Sequence, residues 1–186
     1  GGCQRCKEQQ FKPEHSLYRE HTSGPGADAQ ENASACERNG YSYSKENEPL
    51  GTGGALRNAQ KLLENKFVLV YGDSFLHMDY KFLIADFNES KKLAMTVVFK
   101  NNPKMVLNNI EVSKTGEVLQ YDKKNEGRSN YVEAGVHIFK KGVLNLVPEN
   151  SVFSLEEELL PILIKKRELY AHITNKKFYD LGTFDR

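Results

Sequence analysis

Glu48-Pro49-Leu50-Gly51-Thr52-Gly53-Gly54-Ala55 and, a short helix further on, Phe67-Val68-Leu69-Val70-Tyr71-Gly72-Asp73-Ser74 decide how this chain folds. The first run is a glycine-rich turn that opens a helix. Glycine admits φ > 0 and lets a planar base or a phosphate approach the main chain with no Cβ in the way. The helix from Ala55 adds N–H groups and the positive end of its dipole. The second run is an apolar strand cut off by Gly-Asp-Ser, so a carboxylate lands at the C-terminal edge of a buried strand. Backbone donors and an acid on one rim of an α/β sheet mark the place where nucleotides bind. Taken alone, Asp73 reads equally as a turn former or a helix N-cap.

Working outward, the apolar runs predict strands at residues 67–71, 94–99, 110–112, 118–121, 131–139, 170–173 and 178–181. Several are unbroken stretches of apolar residues, as in strands covered on both faces. Helices are predicted at 54–64, 80–90, 142–147 and 155–167. Ser154 with Glu157 forms a capping box at the start of the last, and Pro161 inside it predicts a kink or a late start. Lys114-Thr115-Gly116-Glu117 reads as a hairpin turn. His137, within Val136-His137-Ile138-Phe139, is expected to be a packing residue. The body is α/β with a mixed sheet.

Composition changes sharply near residue 41. Val, Ile and Met do not occur before Val68, and residues 1–40 are rich in Gln, Glu, Ser, Asn, Gly and Ala. Such a stretch has too little apolar area to offset the entropy of ordering it. Two parts are therefore expected: 1–40, atypical and poorly ordered, and 41–186, the folded domain. The start at Gly1-Gly2 without Met predicts a fragment or a processed start, and no signal peptide is visible. With 186 residues and a net charge of +1, the chain carries no strong field that would attract nucleic acid or a membrane. No apolar run approaches the roughly eighteen residues of a bilayer span. Three cysteines, all before residue 41, suit a reduced, cytoplasmic protein. Cys3-x-x-Cys6 with His15 and His21 resembles a zinc finger only in outline, since eight residues separate Cys6 from His15 against about twelve in that module.

The glycine-rich run and Gly72-Asp73-Ser74, together with Tyr131-Val132-Glu133-Ala134-Gly135 and Phe178-Tyr179-Asp180-Leu181-Gly182-Thr183, resemble the sugar-1-phosphate nucleotidyltransferases over residues 41–186. The resemblance implies a Rossmann-like three-layer α/β/α fold with a mixed sheet. It implies transfer of a nucleotidyl group from an NTP to a sugar 1-phosphate, giving an NDP-sugar and pyrophosphate. Leu50, Gly51, Thr52, Gly53, Gly54 and Gly72 would then face the nucleotide, and Asp73 and Asp180 would hold one Mg2+. Glu133 would meet sugar hydroxyls, with Gly135 leaving room for the ring; a surface-facing strand Glu is the competing reading. In Val118-Leu119-Gln120-Tyr121-Asp122-Lys123-Lys124, relatives carry aromatic-Asp-Glu-Lys, so Lys124 would meet the sugar phosphate unless the run is a solvated basic turn. The Lys-Lys version is similar to the heptose and mannose 1-phosphate guanylyltransferase branch. A homo-oligomer is compatible with this reading.

Relatives begin with an apolar strand and a Gly-Gly-x-Gly-Thr-Arg-Leu loop that wraps the triphosphate. Gly1-Gly2-Cys3-Gln4-Arg5 and Lys12-Pro13 follow that outline without the Gly-Thr pair or the strand. Residues 1–40 are accordingly expected to be substituted, mis-joined or out-of-frame sequence, and truncation is expected at both ends. The alternative function is a catalytically impaired homologue that binds nucleotide or NDP-sugar without the triphosphate loop. A glycosyltransferase of related fold is a third reading, weakened because Phe75 stands where that fold places a second acid.

Overall fold

The computed structural model describes residues 42, 44–100, 109–121, 129–176 and, as main chain, 178–180. The chain divides after Lys45, and every element below belongs to the unit Glu46–Arg186. In chain order the strands are β1 (Lys66–Val70), β2 (Ser74–Leu76), β3 (Ala94–Phe99), β4 (Ile110–Val112), β5 (Val118–Tyr121), β6 (Val132–Lys140), β7 (Leu169–Thr174) and β8 (Phe178–Asp180). The α-helices are α1 (Gly51–Asn58), α2 (Tyr80–Ser90) and α3 (Leu160–Lys165).

Four strands form the main sheet in the order β1-β6-β3-β7. β6 runs antiparallel to both β1 and β3, while β3 and β7 are parallel. The mixed sheet follows from this. β3 and β6 lie inside it and are buried almost throughout, which is why their sequences run apolar without alternation. A register shift between Thr96 and Val98 breaks the β3–β6 ladder, as a bulge does.

One sheet face presents Met95, Val97, Ala134, Val136 and Ile138, onto which α2 lays Leu83 and Phe87. The i, i+4 spacing of Leu83 and Phe87 puts them on one helical stripe. Asp79 caps this helix by accepting from the Lys81 N–H at 2.9 Å. Side chains alternate along a strand, so His137 and Phe139 face the other way. There the rings of Phe139 and Phe67 lie 5.7 Å apart, and His137 stacks on Phe139 at 5.7 Å. His137 is fully buried, as its apolar neighbours in sequence lead one to expect.

Two further strand pairs stand beside this sheet. β4 and β5 make the expected hairpin, and β2 pairs antiparallel with β8. β2 was absent from the sequence reading. It is three residues long, too short for a periodic signal. The predicted helix 54–64 begins earlier, at Gly51, and ends in a 3-10 turn, Ala59–Leu62. The predicted helix 142–147 is a 3-10 turn, Lys141–Leu146. The predicted helix 155–167 opens as a wide π turn, Leu155–Leu159, and becomes regular only at Leu160, next to Pro161. Ser154 Oγ accepts from the Glu157 N–H at 3.1 Å, but Glu158 accepts from the Ser154 N–H, at 2.7 Å. The wider π turn brings the residue four positions on, rather than three, back over the cap. Among the described residues no helix is long and apolar enough to cross a membrane.

Candidate active site

The chain leaves β1 through a tight turn. Tyr71 N–H donates to Gly135 O at 2.9 Å, and Ser74 N–H donates to Tyr71 O at 3.2 Å. Gly72 and Asp73 are therefore exposed at the tip. Ser74 Oγ donates to Asp73 Oδ1 at 3.2 Å. β2 then sets Ser74 directly opposite Asp180 of β8. Asp73, in the turn just before β2, thus lies one residue from the position that faces Asp180, and facing Cα atoms of paired strands lie about 5 Å apart. Among the described residues no three His, Cys, Asp or Glu side chains group as a metal cage. A hard cation that keeps water and phosphate oxygens among its ligands can be held by two carboxylates.

The glycine-rich run has a tertiary use that its sequence did not disclose. Gly53 and Gly54 N–H groups both donate to Phe153 O, at 2.9 and 3.1 Å, and Phe153 N–H donates to Leu50 O at 2.8 Å. A Cβ on Gly51, whose φ is +73°, would meet Phe153 O at 2.7 Å, and one on Gly54 would meet Ser151 O at 2.6 Å. The glycines let residues 151–153 run against the helix start. Two of the amides expected to be open to a ligand are consequently occupied, whereas Thr52 remains at the surface.

Between this turn and the end of β1 lies a group of acids and phenols. Glu156, 9 % exposed, accepts from Tyr71 Oη at 2.5 Å, Thr52 Oγ1 at 2.9 Å and Ser154 Oγ at 3.1 Å. Thr52 Oγ1 in turn accepts from the Leu155 N–H at 2.8 Å. Glu133, a sugar ligand on the resemblance and a surface-facing strand Glu on the competing reading, has a side chain only 8 % exposed. Its carboxylate accepts from the Gly135 N–H at 2.8 Å and from the Tyr121 hydroxyl. These donors replace the water it lost. His137 Nε2 lies 3.1 Å from Glu133 Oε1 without the alignment of a hydrogen bond. A Cβ added at Gly135 would meet Ser74, standing 2.4 Å from its Oγ.

Burial, reinforced by the charges of Glu133 and Glu156, pushes the Tyr71 and Tyr121 phenols far above their ordinary range. The sign of the consequence follows from linkage. Below the ordinary phenol pKa of 10.0 both states keep their protons and stability is level. Above it the unfolded chain ionises while the fold does not, so stability falls with rising pH. Tyr71→Phe is expected to make this alkaline limb shallower in urea titrations taken across that pKa. An unchanged slope would mean that Tyr71 ionises normally in the fold.

Tyr71, Tyr121 and Glu156 did not stand out in sequence. Tyr71 ends a strand, Tyr121 ends another, and Glu156 sits among three consecutive glutamates of a helix start. Two signals could have flagged a pair of them: Tyr71 precedes Gly72-Asp73, and Tyr121 is the aromatic of Tyr121-Asp122-Lys123-Lys124. Lys123 and Lys124 lie outside the described residues, as do Arg5, Lys12, Cys3, Cys6, His15 and His21.

The family described as nucleotidyl transferase matches residues 22–186, beginning upstream of the compositional boundary near 41. The chain is 26 % identical over 144 residues to a D-glycero-alpha-D-manno-heptose 1-phosphate guanylyltransferase of Aneurinibacillus thermoaerophilus, covering 77 % of this chain and 62 % of that protein. It is 31 % identical over 156 residues to a mannose-1-phosphate guanyltransferase of Debaryomyces hansenii, covering 75 % and 40 %. The chain thus spans about two fifths to three fifths of the curated relatives it matches. Among solved structures, HddC from Yersinia pseudotuberculosis superposes with a TM-score of 0.70 at 24 % identity, covering 92 % of this chain and 72 % of that one. A mixed α/β sheet, a glycine-rich helix start, acids at two strand ends and a match over most of the length agree: the chain belongs to the nucleotidyl transferase family.

Proposed function

We propose that residues 41–186 form the core of a sugar-1-phosphate nucleotidyltransferase that uses GTP and a mannose-configured hexose or heptose 1-phosphate. The names of the relatives support the choice of base and sugar. The observation that carries the reading is the register of β2 on β8, with Ser74 of the Gly72-Asp73-Ser74 turn facing Asp180.

The sugar phosphate is already an anion at neutral pH, so its oxygen attacks the α-phosphorus with no general base. The P–O bond to pyrophosphate breaks on the opposite side. No covalent bond to the protein forms, and the chain contributes position and charge. Leu50, Gly51 and Thr52 border the seat of the nucleotide, while Gly53 and Gly54 shape it by packing on Phe153. Gly72 leaves the turn tip open, since a Cβ there would touch nothing. Glu133 and Gly135 border the sugar, where a carboxylate accepts paired hydroxyls, and Lys124 meets its phosphate as a point charge. Asp73 and Asp180 would hold Mg2+ as the cofactor. When bound, it supplies positive charge against the phosphates. The use of NTPs implies the cytoplasm.

The test offers each of the four common NTPs with Mg2+ and mannose or heptose 1-phosphate, and follows pyrophosphate release and thermal stabilisation. GTP is expected to stabilise the fold and to support release. Stabilisation by GTP without pyrophosphate would favour the impaired binding homologue. No response to any NTP would remove the nucleotide reading altogether.

A further inference from the structure

We propose that Glu156 is a positioning residue for nucleotidyl transfer: a buried strut that ties Thr52, in the glycine-rich turn, to Tyr71, at the root of the turn that bears Asp73. The inference rests on the functional reading above, because it takes the first turn as the nucleotide's seat and the second as the metal's.

The geometry is direct. One carboxylate oxygen receives Tyr71 Oη at 2.5 Å; the other receives Thr52 Oγ1 at 2.9 Å and Ser154 Oγ at 3.1 Å. Tyr71 is held in turn through its own N–H on Gly135 O at 2.9 Å. The strut therefore runs from α1 through the Leu155–Leu159 turn to the end of β1 and on to β6. Hydrogen bonds to an ionised acceptor are shorter and stronger than neutral ones, which makes the link stiff. Burying a carboxylate is costly, and an apolar side chain of similar size would fill this place at lower cost. A link of this kind matters where chemistry needs it. Displacing a reacting group by about 1 Å can slow a reaction by about a hundredfold, and the strut joins the two segments whose separation sets the α-phosphorus against the acids.

Glu156→Gln keeps the shape, and its amide oxygen can still accept from Tyr71, but its nitrogen cannot accept from Thr52 or Ser154. Tyr71→Phe breaks the other end. In the full chain, each variant is expected to lower kcat for pyrophosphate release by about ten- to a hundredfold. KM for the sugar phosphate should move by less than about threefold. The double variant should be no worse than the poorer single one, because both cut one link. Unchanged kcat per folded molecule with only a lower melting temperature would overturn the proposal, as would fully additive losses. Should Glu156→Gln fail to fold, Tyr71→Phe carries the same comparison of kcat with KM. Wild-type chain that releases no pyrophosphate would sink the functional reading instead. The strut is then read by amide hydrogen exchange at Gly72 to Ser74, which Glu156→Gln should quicken; identical exchange would show that Glu156 does not hold the turn.

Discussion

Asp73→Asn is expected to cut pyrophosphate release by a hundredfold or more, on the order of 3 kcal/mol of barrier, while leaving the fold intact. The side chain is exposed at a turn tip, where substitutions rarely change stability by more than about 0.5 kcal/mol. Asparagine also keeps an oxygen for Ser74 Oγ, which donates to Asp73 Oδ1 at 3.2 Å. What it loses is negative charge, half of the pair proposed to hold the cation. Asp180→Asn should match it, and the double variant should add little, because ligands of one ion act as a unit. Melting curves recorded beside the rate measurements separate loss of charge from loss of fold. Turnover at the wild-type level in Asp73→Asn would take this residue out of the reaction.

The largest effect on stability is expected from Gly135→Ala, about 3 kcal/mol. Three constraints meet at this glycine. Its φ of +71° is costly for any residue with a Cβ. An added Cβ would stand 2.4 Å from Ser74 Oγ and 2.5 Å from Ser74 Cβ. Its N–H is committed to Glu133 at 2.8 Å and its carbonyl to the Tyr71 N–H at 2.9 Å, so the backbone cannot swing away without breaking both. Adding Ser74→Gly should return the steric share and leave the backbone share, about 1–2 kcal/mol. Denaturant midpoints of the single and double variants measure this. The resemblance had suggested that Gly135 makes room for a sugar ring. On that account alone Gly135→Ala would remain as stable as wild type and only raise KM for the sugar phosphate.

These two residues show what could be read in advance and what could not. Asp73 was legible because an unpaired acid is intolerable inside a strand, so the end of Phe67–Tyr71 had to be an edge. The glycines were legible as glycines but not in purpose. Their neighbours Phe153 and Ser74 are distant in sequence or belong to a strand too short to signal itself. The surface-facing reading of Glu133 came from an acid standing between apolar residues in sequence. Sequence does not show that the Gly135 N–H and the Tyr121 hydroxyl come to meet it. The capping box erred by one residue for a similar reason: a π turn and an α turn begin with the same letters.

From the residues alone came the family, the type of nearly every element after Leu50 and the acids that close two strands. Burial repeats along an element with the period of that element, so local order of side chains is enough to recover it. The meeting of Thr52, Tyr71 and Glu156, the seat of Phe153 against Gly53 and Gly54, and the facing of Ser74 and Asp180 came only with the tertiary structure. Such partners are chosen by close packing and register between segments that no sequence period connects, and a slip of one residue in β2 would set another residue opposite Asp180.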